Sequence, residues 1–278
     1  MPMPAQPIYT IPVPEPQLYG RAADIYTEVP MTGEDARWVG GGVTYVPLGC
    51  PNVRGVPEDP CVQLTWNAPE GFQNALTFSP FRIEESITCS TLGAWSPEEL
   101  TQWAKQEARA GYSVALARQV WGGLYGVGQQ NLLGATVAEV TIGSDLSVVS
   151  ALAAVDAALG QRLLGRGLVH MTPDVLVRLW AAQAVMQDLT TGQWLTPTGH
   201  RIVADYGYYN SGAGGTAYIF GSGPVYYSTT GWEATQAWKS THNDYIVYVS
   251  AHAVVWFEPC PLVRAQTNAP TLTNFGVG

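Results

Sequence analysis

The stretch SPEELTQWAKQEARAGYSVALARQVWGG, residues 96–123, is the most strongly patterned helix in the sequence. Ser96 suits an N-cap, Pro97 suits the first helical position, and Glu99 stands where a capping box needs its carboxylate. Two glycines end the pattern, so the sequence predicts one helix of about 37 Å between these limits.

Apolar side chains recur along this helix at steps of three and four residues, which predicts one buried stripe. The stripe consists of Leu100, Trp103, Ala104, Ala108, Tyr112, Ala115 and Leu116. A helix of this length spans a whole domain, so we expect the rest of the chain to pack against it. Four of these residues should contact the C-terminal strands of the same chain: Leu100, Trp103, Ala104 and Leu116.

The composition is apolar and unusually poor in charge. The 278 residues are 46% hydrophobic and 13% charged, about half the usual charged share. Such a surface is typically covered by ligand, by membrane or by copies of the same chain. The net charge of −9 argues against direct wrapping of nucleic acid, which needs clustered Lys and Arg, whereas only Lys105 and Lys239 are lysines.

The N-terminal residues lack the basic and apolar regions of a secretion signal, and no run of about eighteen apolar residues predicts a membrane span. We therefore expect a soluble compartment and no membrane partner. The cysteines form no CxxC pair, so no zinc site is expected. Cys50 and Cys61 flank a proline-rich loop that a disulfide would close, but the missing export signal favours reduced thiols.

Proline recurs through residues 1–30, which predicts an extended arm rather than a helix. The arm carries apolar side chains that need a surface, and we expect a neighbouring copy to provide it. They are Tyr9, Ile11, Val13, Leu18, Tyr19, Ile25 and Tyr26. Residues 37–81 then show short β-like runs separated by turns, including WVGGGVTYVPLG, VQLTWN and ALTFSPF, which predict a long two-stranded excursion containing Tyr45 and Trp66.

In the second half of the chain, the succession of helix and strand patterns predicts a compact α/β unit followed by more strands. A second helix should open at Ser144 or Asp145 and close at Gly160. A third should follow Thr172, and its periodic residues are Leu176, Leu179, Trp180, Gln183 and Met186. The strands GLVHM and HRIVADY flank the third helix. AYIFG and PVYYS predict a hairpin around a GSGP turn, and DYIVYVSAHAVVWFEP with CPLVRAQ predicts a terminal strand pair. The predicted class is α+β.

No catalytic motif is present: GxSxG, HExxH and a Walker loop are all missing from the sequence. His170 and His252 lie in strands and are best interpreted as structural, and His242 with Asp244 forms either a dyad or a capped turn. The glutamate pairs at 84–85 and 98–99 do not face one substrate, and the many aromatic residues suit a core or interface as well as a sugar groove. We predict no catalytic, cofactor-binding or metal-binding residue and no cofactor.

The order of parts resembles the Hong Kong 97-type fold of tailed-phage major capsid proteins and encapsulin shells: arm, hairpin excursion, long helix, α/β unit, Gly-rich segment and terminal strands. Several short sequence segments are also similar to segments of that family, and their arrangement resembles that of virion proteins of phages that infect actinobacteria. These segments are TFSPFRIEES, QVWGGL, GLVHMTPDVLVRL, HRIVADYGY, AYIFGSGPVYY and VVWFEPCPLVRAQTN.

The resemblance implies an N-arm at residues 1–40, an extended loop at 41–80, a peripheral domain at 81–135 plus 245–278, and an axial domain at 136–244. It implies a self-assembling capsid subunit of a tailed phage, located in the virion and assembled in the host cytoplasm. Expected partners are pentamers or hexamers of the same chain, portal or decoration proteins, and DNA that is enclosed but not bound by sequence. The implied interface residues are Tyr9, Ile11, Leu18, Tyr19, Tyr45, Trp66, Lys105 and Arg109.

Lys105, Gln106 and Arg109 would meet a neighbour's extended loop. Some members of this family crosslink through a lysine in that loop, and here no lysine precedes Lys105, so such a crosslink is not expected. Two alternatives stay open at this stage. One is an encapsulin-like compartment for protein cargo, and the other, from a different class, is a hydrolase or glycan-binding module that uses His242, Asp244 and surface tryptophans.

Overall fold

The computed structural model describes residues 22–31, 38–45, 76–89, 95–125, 130–134, 139–162, 166–209, 216–239, 244–259 and 261–270. Helices and mixed sheets alternate through these ranges, which confirms the predicted α+β class. Five of the predicted interface residues lie outside the described ranges: Tyr9, Ile11, Leu18, Tyr19 and Trp66. Cys50, Cys61 and His242 lie outside them as well.

The N-terminal described segment packs on its own chain. Helix α1 (Ala22–Ile25) leads into strand β1 (Thr27–Glu28), and Ile25 and Tyr26 are buried. A neighbouring copy was the expected surface for these two residues, and that expectation was wrong. The physical reason is that α1 fits between the long helix and the turn after residue 204, where buried polar groups bind its first amides.

A short helix, α2 (Trp38–Gly41), precedes the base of the predicted excursion. Strands β2 (Val43–Tyr45) and β3 (Leu76–Phe78) pair antiparallel, with Val43 opposite Phe78. The predicted two-stranded excursion therefore has its expected base. Its remainder, residues 46–75, falls outside the described ranges.

The long helix α3 runs Pro97–Gly122, as predicted. The Glu99 amide donates to Ser96 Oγ at 3.2 Å, and the Ser96 amide donates to the Glu99 carboxylate at 2.8 Å, which completes the capping box. Gly123 ends the helix with a φ of 62°, in the left-handed region that glycine adopts without strain.

The N-terminal half of α3 packs on one sheet only. Leu100, Ala104 and Ala108 form a small core with Val247 and Val249, so the predicted contact with a C-terminal strand is confirmed. Trp103 was predicted to join this contact, and that was wrong: its side chain is 37% exposed and its ring lies 5.5 Å from the ring of Trp95. A helix resting on one sheet buries only a narrow stripe, and Trp103 lies beside that stripe.

The first large sheet consists of β1, β4 (Phe81–Cys89), β11 (Val225–Thr229), β12 (Glu233–Lys239) and β13 (Asp244–Phe257). The long strand β13 lies at its centre. β12 and β4 flank the first part of β13, β11 pairs with its last part, and β1 pairs parallel to β11.

The second large sheet has the order β5-β14-β10-β6-β9-β8-β7. Its strands are β5 (Glu139–Leu146), β6 (Leu168–Met171), β7 (Met186–Gln187), β8 (Trp194–Leu195), β9 (Arg201–Ala204), β10 (Thr216–Ser222) and β14 (Leu262–Pro270). Helices α4 (Val148–Arg162) and α5 (Pro173–Ala181) share a second core with this sheet, in which Val155, Leu159 and Leu179 are fully buried.

The predicted strand pairs of the second half are wrong in their partners. β10 and β11 do not form a hairpin, because β10 pairs with β6 and β14 while β11 pairs with β13 and β1. Likewise β13 and β14 are in different sheets. The chain crosses between sheets at residues 223–224 and again after Phe257. These crossovers touch, because the Glu258 amide donates to the Pro224 carbonyl at 3.1 Å.

Two helix boundaries differ from prediction. Ser144 and Asp145 belong to β5, and Ser147 opens α4 by accepting the Ser150 amide at 3.1 Å. Gly160 lies within α4 rather than at its end. The third helix stops at Ala181, before its predicted limit at Met186, because the chain turns there and Gln183 adopts a φ of 57°.

Candidate assembly surfaces and the buried junction

Three predicted interface residues fall within the described ranges. Lys105 is half-buried and Arg109 exposed on α3. Tyr45 is half-buried, and its hydroxyl donates to Glu258 Oε2 at 2.8 Å within the same chain. Burial, together with that bond, raises the pKa of Tyr45 above its ordinary value. No contact between copies tests any of the three, so their interface role stays a prediction.

A surface that the sequence reasoning missed lies on α5 and on the hairpin of β7 and β8, at the end of the second sheet. We call it the apolar end surface. Its large apolar side chains are strongly exposed: Val177 at 59%, Trp180 at 60%, Met186 at 52% and Leu189 at 96%. The helical period had assigned Trp180 and Met186 to the buried face of one long helix. Trp180 instead lies on the exposed face of α5, and Met186 lies beyond the end of α5, in β7.

The tip of this hairpin is held in a fixed shape. Asp188 accepts the Thr190 amide at 2.8 Å and the Thr191 hydroxyl at 2.8 Å, and these bonds lower the pKa of the Asp188 carboxyl. The Gly192 amide donates to the Asp188 carbonyl at 2.7 Å. Leu189 is therefore presented on an ordered turn, which reduces the entropy cost of burying it against a partner.

A groove of about 360 Å³ runs between β4 and α3. Its charged lining residues carry both signs: Arg82, Glu84, Glu85, Glu107 and Arg118. Arg82 forms an ion pair with Glu84 at 2.6 Å and lies over the Tyr248 ring. The groove therefore suits a polar, extended segment better than an apolar one.

Between the two sheets lies a chain of fully buried polar side chains, which we call the buried polar chain: Tyr26, Tyr208, His170 and Ser222. The two tyrosine hydroxyls are 2.5 Å apart, Tyr208 is 2.8 Å from His170 Nδ1, and Ser222 Oγ is 2.8 Å from His170 Nε2. Ser222 in turn donates to the Gly223 carbonyl at 2.8 Å. The predicted structural role of His170 as a hydrogen-bonded core residue is confirmed.

The hydrogen bonds fix which group donates and which accepts in each pair of the buried polar chain. Because Ser222 uses its single proton on Gly223, His170 donates from Nε2 and accepts the Tyr208 hydroxyl at Nδ1. Tyr26 then donates to Tyr208. Burial lowers the pKa of His170 to about 3 and raises the pKa values of Tyr26 and Tyr208, so all three groups are neutral at pH 7. A neutral, closed chain of this kind stabilises a junction.

A second buried group anchors the N-terminal segment. Asp205 Oδ2 accepts the Ala22 amide at 3.0 Å and the Ser113 hydroxyl at 3.3 Å, and Asp205 Oδ1 accepts the Gly207 amide at 2.8 Å. Ser113 Oγ also accepts the Ala23 amide at 3.1 Å. One carboxylate thus joins α1, α3 and the turn after β9.

A third buried group joins α4 to the turn before β9. Asp156 Oδ1 accepts the hydroxyls of Thr196 at 2.5 Å and Thr198 at 2.6 Å. His200 Nδ1 accepts the Gly167 amide at 2.9 Å, while its Nε2 lies 4.0 Å from Asp156. Burial lowers the pKa of His200, although the Asp156 charge opposes that shift.

Among the described residues, no three His, Cys, Asp or Glu side chains are arranged to hold a metal ion. In the same ranges, no helix combines the length and apolar character needed to cross a membrane. The possible dyad of His242 and Asp244 has only Asp244 in the described chain, where it stands opposite Lys239 in the sheet.

Comparisons with known proteins place the fold. No protein-family model and no curated protein matches the sequence. The capsid protein of an empty GTA particle is 14% identical in sequence and superimposes with a TM-score of 0.56. The match covers 94% of this chain and 100% of the GTA capsid chain. The SrpI encapsulin of Synechococcus elongatus is 10% identical, covers 99% of this chain and 95% of its own, and gives a TM-score of 0.55.

A phage G structure of major capsid and decoration proteins is 9% identical, covers 95% of this chain and 93% of its own, and gives a TM-score of 0.53. These likenesses extend over nearly the whole of each chain. The chain therefore has the Hong Kong 97-type fold shared by phage capsid and encapsulin subunits. At sequence identities of 9–14%, the likeness shows the fold alone.

Proposed function

We propose that this chain is a structural, non-enzymatic subunit that self-assembles into the icosahedral capsid shell of a tailed bacteriophage enclosing its DNA genome. The observation that carries the proposal is the apolar end surface on a chain with a shell-subunit fold. Monomeric soluble proteins rarely expose large apolar side chains together, and in a closed ring each copy covers the surface of the next.

The domain assignment is part of the proposal. The second sheet with α4 and α5 corresponds to the axial domain, and the apolar end surface would then surround the symmetry axis of a pentamer or hexamer. The first sheet with α3 corresponds to the peripheral domain. The resemblance implied an axial domain at residues 136–244 and a peripheral domain at 81–135 plus 245–278. Because β14 pairs within the second sheet and β11 and β12 pair within the first, we propose that residues 262–270 belong to the axial unit and residues 225–239 to the peripheral one.

Other contacts between copies follow from the arm and the extended loop. The groove between β4 and α3 suits the extended loop of a neighbour. Lys105, Gln106 and Arg109, elsewhere on α3, would also contact that loop. Tyr9, Ile11, Leu18 and Tyr19 would bind a neighbouring copy, and Tyr45 and Trp66 would contribute from the loop. The net charge of −9 supports enclosure of DNA without tight binding to it. Portal and decoration proteins are the further partners that we propose.

The experiment is substitution of the most exposed residue of the apolar end surface, Leu189→Glu. A carboxylate buried between copies is unfavourable, so we expect closed particles in negative-stain images to disappear while the chain stays folded. Val149→Glu is the matched control, because Val149 is exposed on α4 outside this surface and its variant should still assemble. A wild-type chain that remains a monomer and binds a sugar or turns over a hydrolase substrate would overturn the proposal.

An encapsulin-like compartment is the second candidate, because the SrpI encapsulin matches the fold as well as the GTA capsid does. The two functions differ in what the shell contains. Nuclease-protected DNA in native particles supports a capsid, whereas a co-purified enzyme inside DNA-free particles supports a compartment.

A further inference from the structure

Strand β12 is an exposed edge of the first sheet. All seven of its residues, Glu233–Lys239, are exposed, including Trp238 at 48%. β13 occupies one side of the strand, and no described residue pairs with the other side. A free strand edge presents a row of backbone donors and acceptors that another strand can bind.

The strand is nevertheless well held in place. It pairs with β13 over its whole length, from Glu233 opposite Ser250 to Lys239 opposite Asp244. Gln236 Nε2 donates to Thr101 Oγ1 of α3 at 3.0 Å, and the rings of Trp238 and Tyr245 lie 6.3 Å apart. The central residues include no proline and no charge, which are the usual devices that block pairing at an edge.

The sequence of β12 is complementary to itself in one register. If two copies pair antiparallel about Gln236, Glu233 of each copy faces Lys239 of the other. In the same register Ala234 faces Trp238, so a small side chain lies opposite a large one. Opposite charges and complementary sizes are the cross-strand pairs that stabilise a sheet.

Strand β4, at the opposite edge of this part of the sheet, is not complementary to itself. β4 would pair with itself about Glu85, which places two like charges directly opposite each other at its centre. Its Arg82 is already bound to Glu84 in the same strand. Like charges opposite each other destabilise a strand pair, so β12 is the edge suited to self-association.

We propose that β12 binds β12 of a second copy across a twofold axis and joins the two first sheets into one continuous sheet. The inference rests on the proposed function, because it assigns one contact of a self-assembling shell. The contact is isologous, with the same strand contributed by both copies, and differs from the ring contact of the apolar end surface.

Charge reversal tests the register. Glu233→Lys places two lysines opposite each other at both ends of the pair, and Lys239→Glu places two glutamates there. We expect each variant alone to yield at least tenfold fewer particles than the wild type. An equal mixture of the two variants regains opposite charges at both ends and should restore particles to within twofold of wild type. Any intramolecular effect of Lys239→Glu on Asp244 is not rescued by mixing.

Disulfide trapping tests the axis. Gln236→Cys places two thiols opposite each other, and we expect oxidation to yield a dimer whose linkage peptide mass spectrometry assigns to residue 236 in both copies. Lys239→Cys is the matched control, because the two copies of residue 239 stand at opposite ends of the pair. The unsubstituted chain, treated in parallel, accounts for the native cysteines.

The outcomes separate this inference from the proposed function. A wild-type chain that never assembles overturns the proposed function. Wild-type assembly together with full assembly of both charge variants overturns only the β12 pairing. A crosslink from residue 236 to another protein, or to a different segment of this chain, also overturns the pairing, since the edge is then occupied otherwise.

Discussion

His170 lies within the buried polar chain and bonds to Tyr208 through Nδ1 and to Ser222 through Nε2. In the folded chain its pKa is about 3, whereas an unfolded chain has the ordinary value near 6.5. At a pH between these two pKa values, His170 binds a proton in the unfolded state but not in the folded state. Stability is therefore complete above about pH 6.5 and falls as the pH is lowered towards 3.

We expect the unassembled chain to lose about 1.6 kcal/mol of unfolding free energy between pH 6.5 and 5 from this residue alone. Burial of His200 acts in the same direction. His170→Gln should flatten the pH dependence measured by denaturant titration. His252→Gln, at a partly exposed position of β13, is the matched control. Equal pH slopes in the two variants would contradict the role of His170.

Gly207 is required for a close approach of the turn after β9 to α3. A Cβ atom there would lie 2.4 Å from the Val114 carbonyl oxygen and 2.7 Å from Ala117 Cβ. Backbone atoms cannot move aside easily, so Gly207→Ala should cost about 1–3 kcal/mol of stability in thermal or denaturant unfolding. Gly231→Ala faces open space and should change stability by less than about 0.5 kcal/mol. Similar losses in both variants would be evidence against this packing.

At the scale of elements, the start of α3 depends on its capping box. The Ser96 amide and hydroxyl both bond to Glu99 and lower the pKa of its carboxyl. Ser96→Ala should destabilise the chain by about 1 kcal/mol, with fraying of the first turn visible in hydrogen exchange.

The start of α5 supplies the contrast. Thr172 occupies its N-cap, but its buried hydroxyl makes no cap bond and has no partner in the structure. Thr172→Val removes that unsatisfied hydroxyl with little change of shape, so it should leave stability unchanged or raise it. A loss at Thr172 as large as that at Ser96 would show that the two caps do not differ as the hydrogen bonds indicate.

For the whole molecule, the two crossovers and the buried polar chain couple the sheets. β6 carries His170 in the second sheet, and Tyr26 lies beside β1 of the first. We expect one cooperative unfolding transition, and Tyr208→Phe should lower hydrogen-exchange protection in β6 and β13 by similar amounts. Tyr206→Phe is the control, since Tyr206 is 72% exposed and does not belong to the buried polar chain. Loss confined to one sheet would refute the coupling.

The sequence by itself determined the elements whose signals are local. The limits of α3, the strand at His170 and the base of the excursion at β2 and β3 follow from caps, periodicity and turn residues within a few positions. The resemblance to shell proteins likewise came from the order of such elements, and the structural comparisons confirm the fold.

Only the tertiary structure decided which strands pair and which apolar residues face outward. The segments AYIFG (in β10) and PVYYS (in β11) were predicted to form a hairpin, because strands adjacent in sequence usually pair. The crossover at residues 223–224 instead places them in different sheets. Trp103, Trp180 and Met186 have the periodicity of core residues, yet their side chains are exposed. Periodicity reports which residues share a face, whereas burial depends on whether another element covers that face.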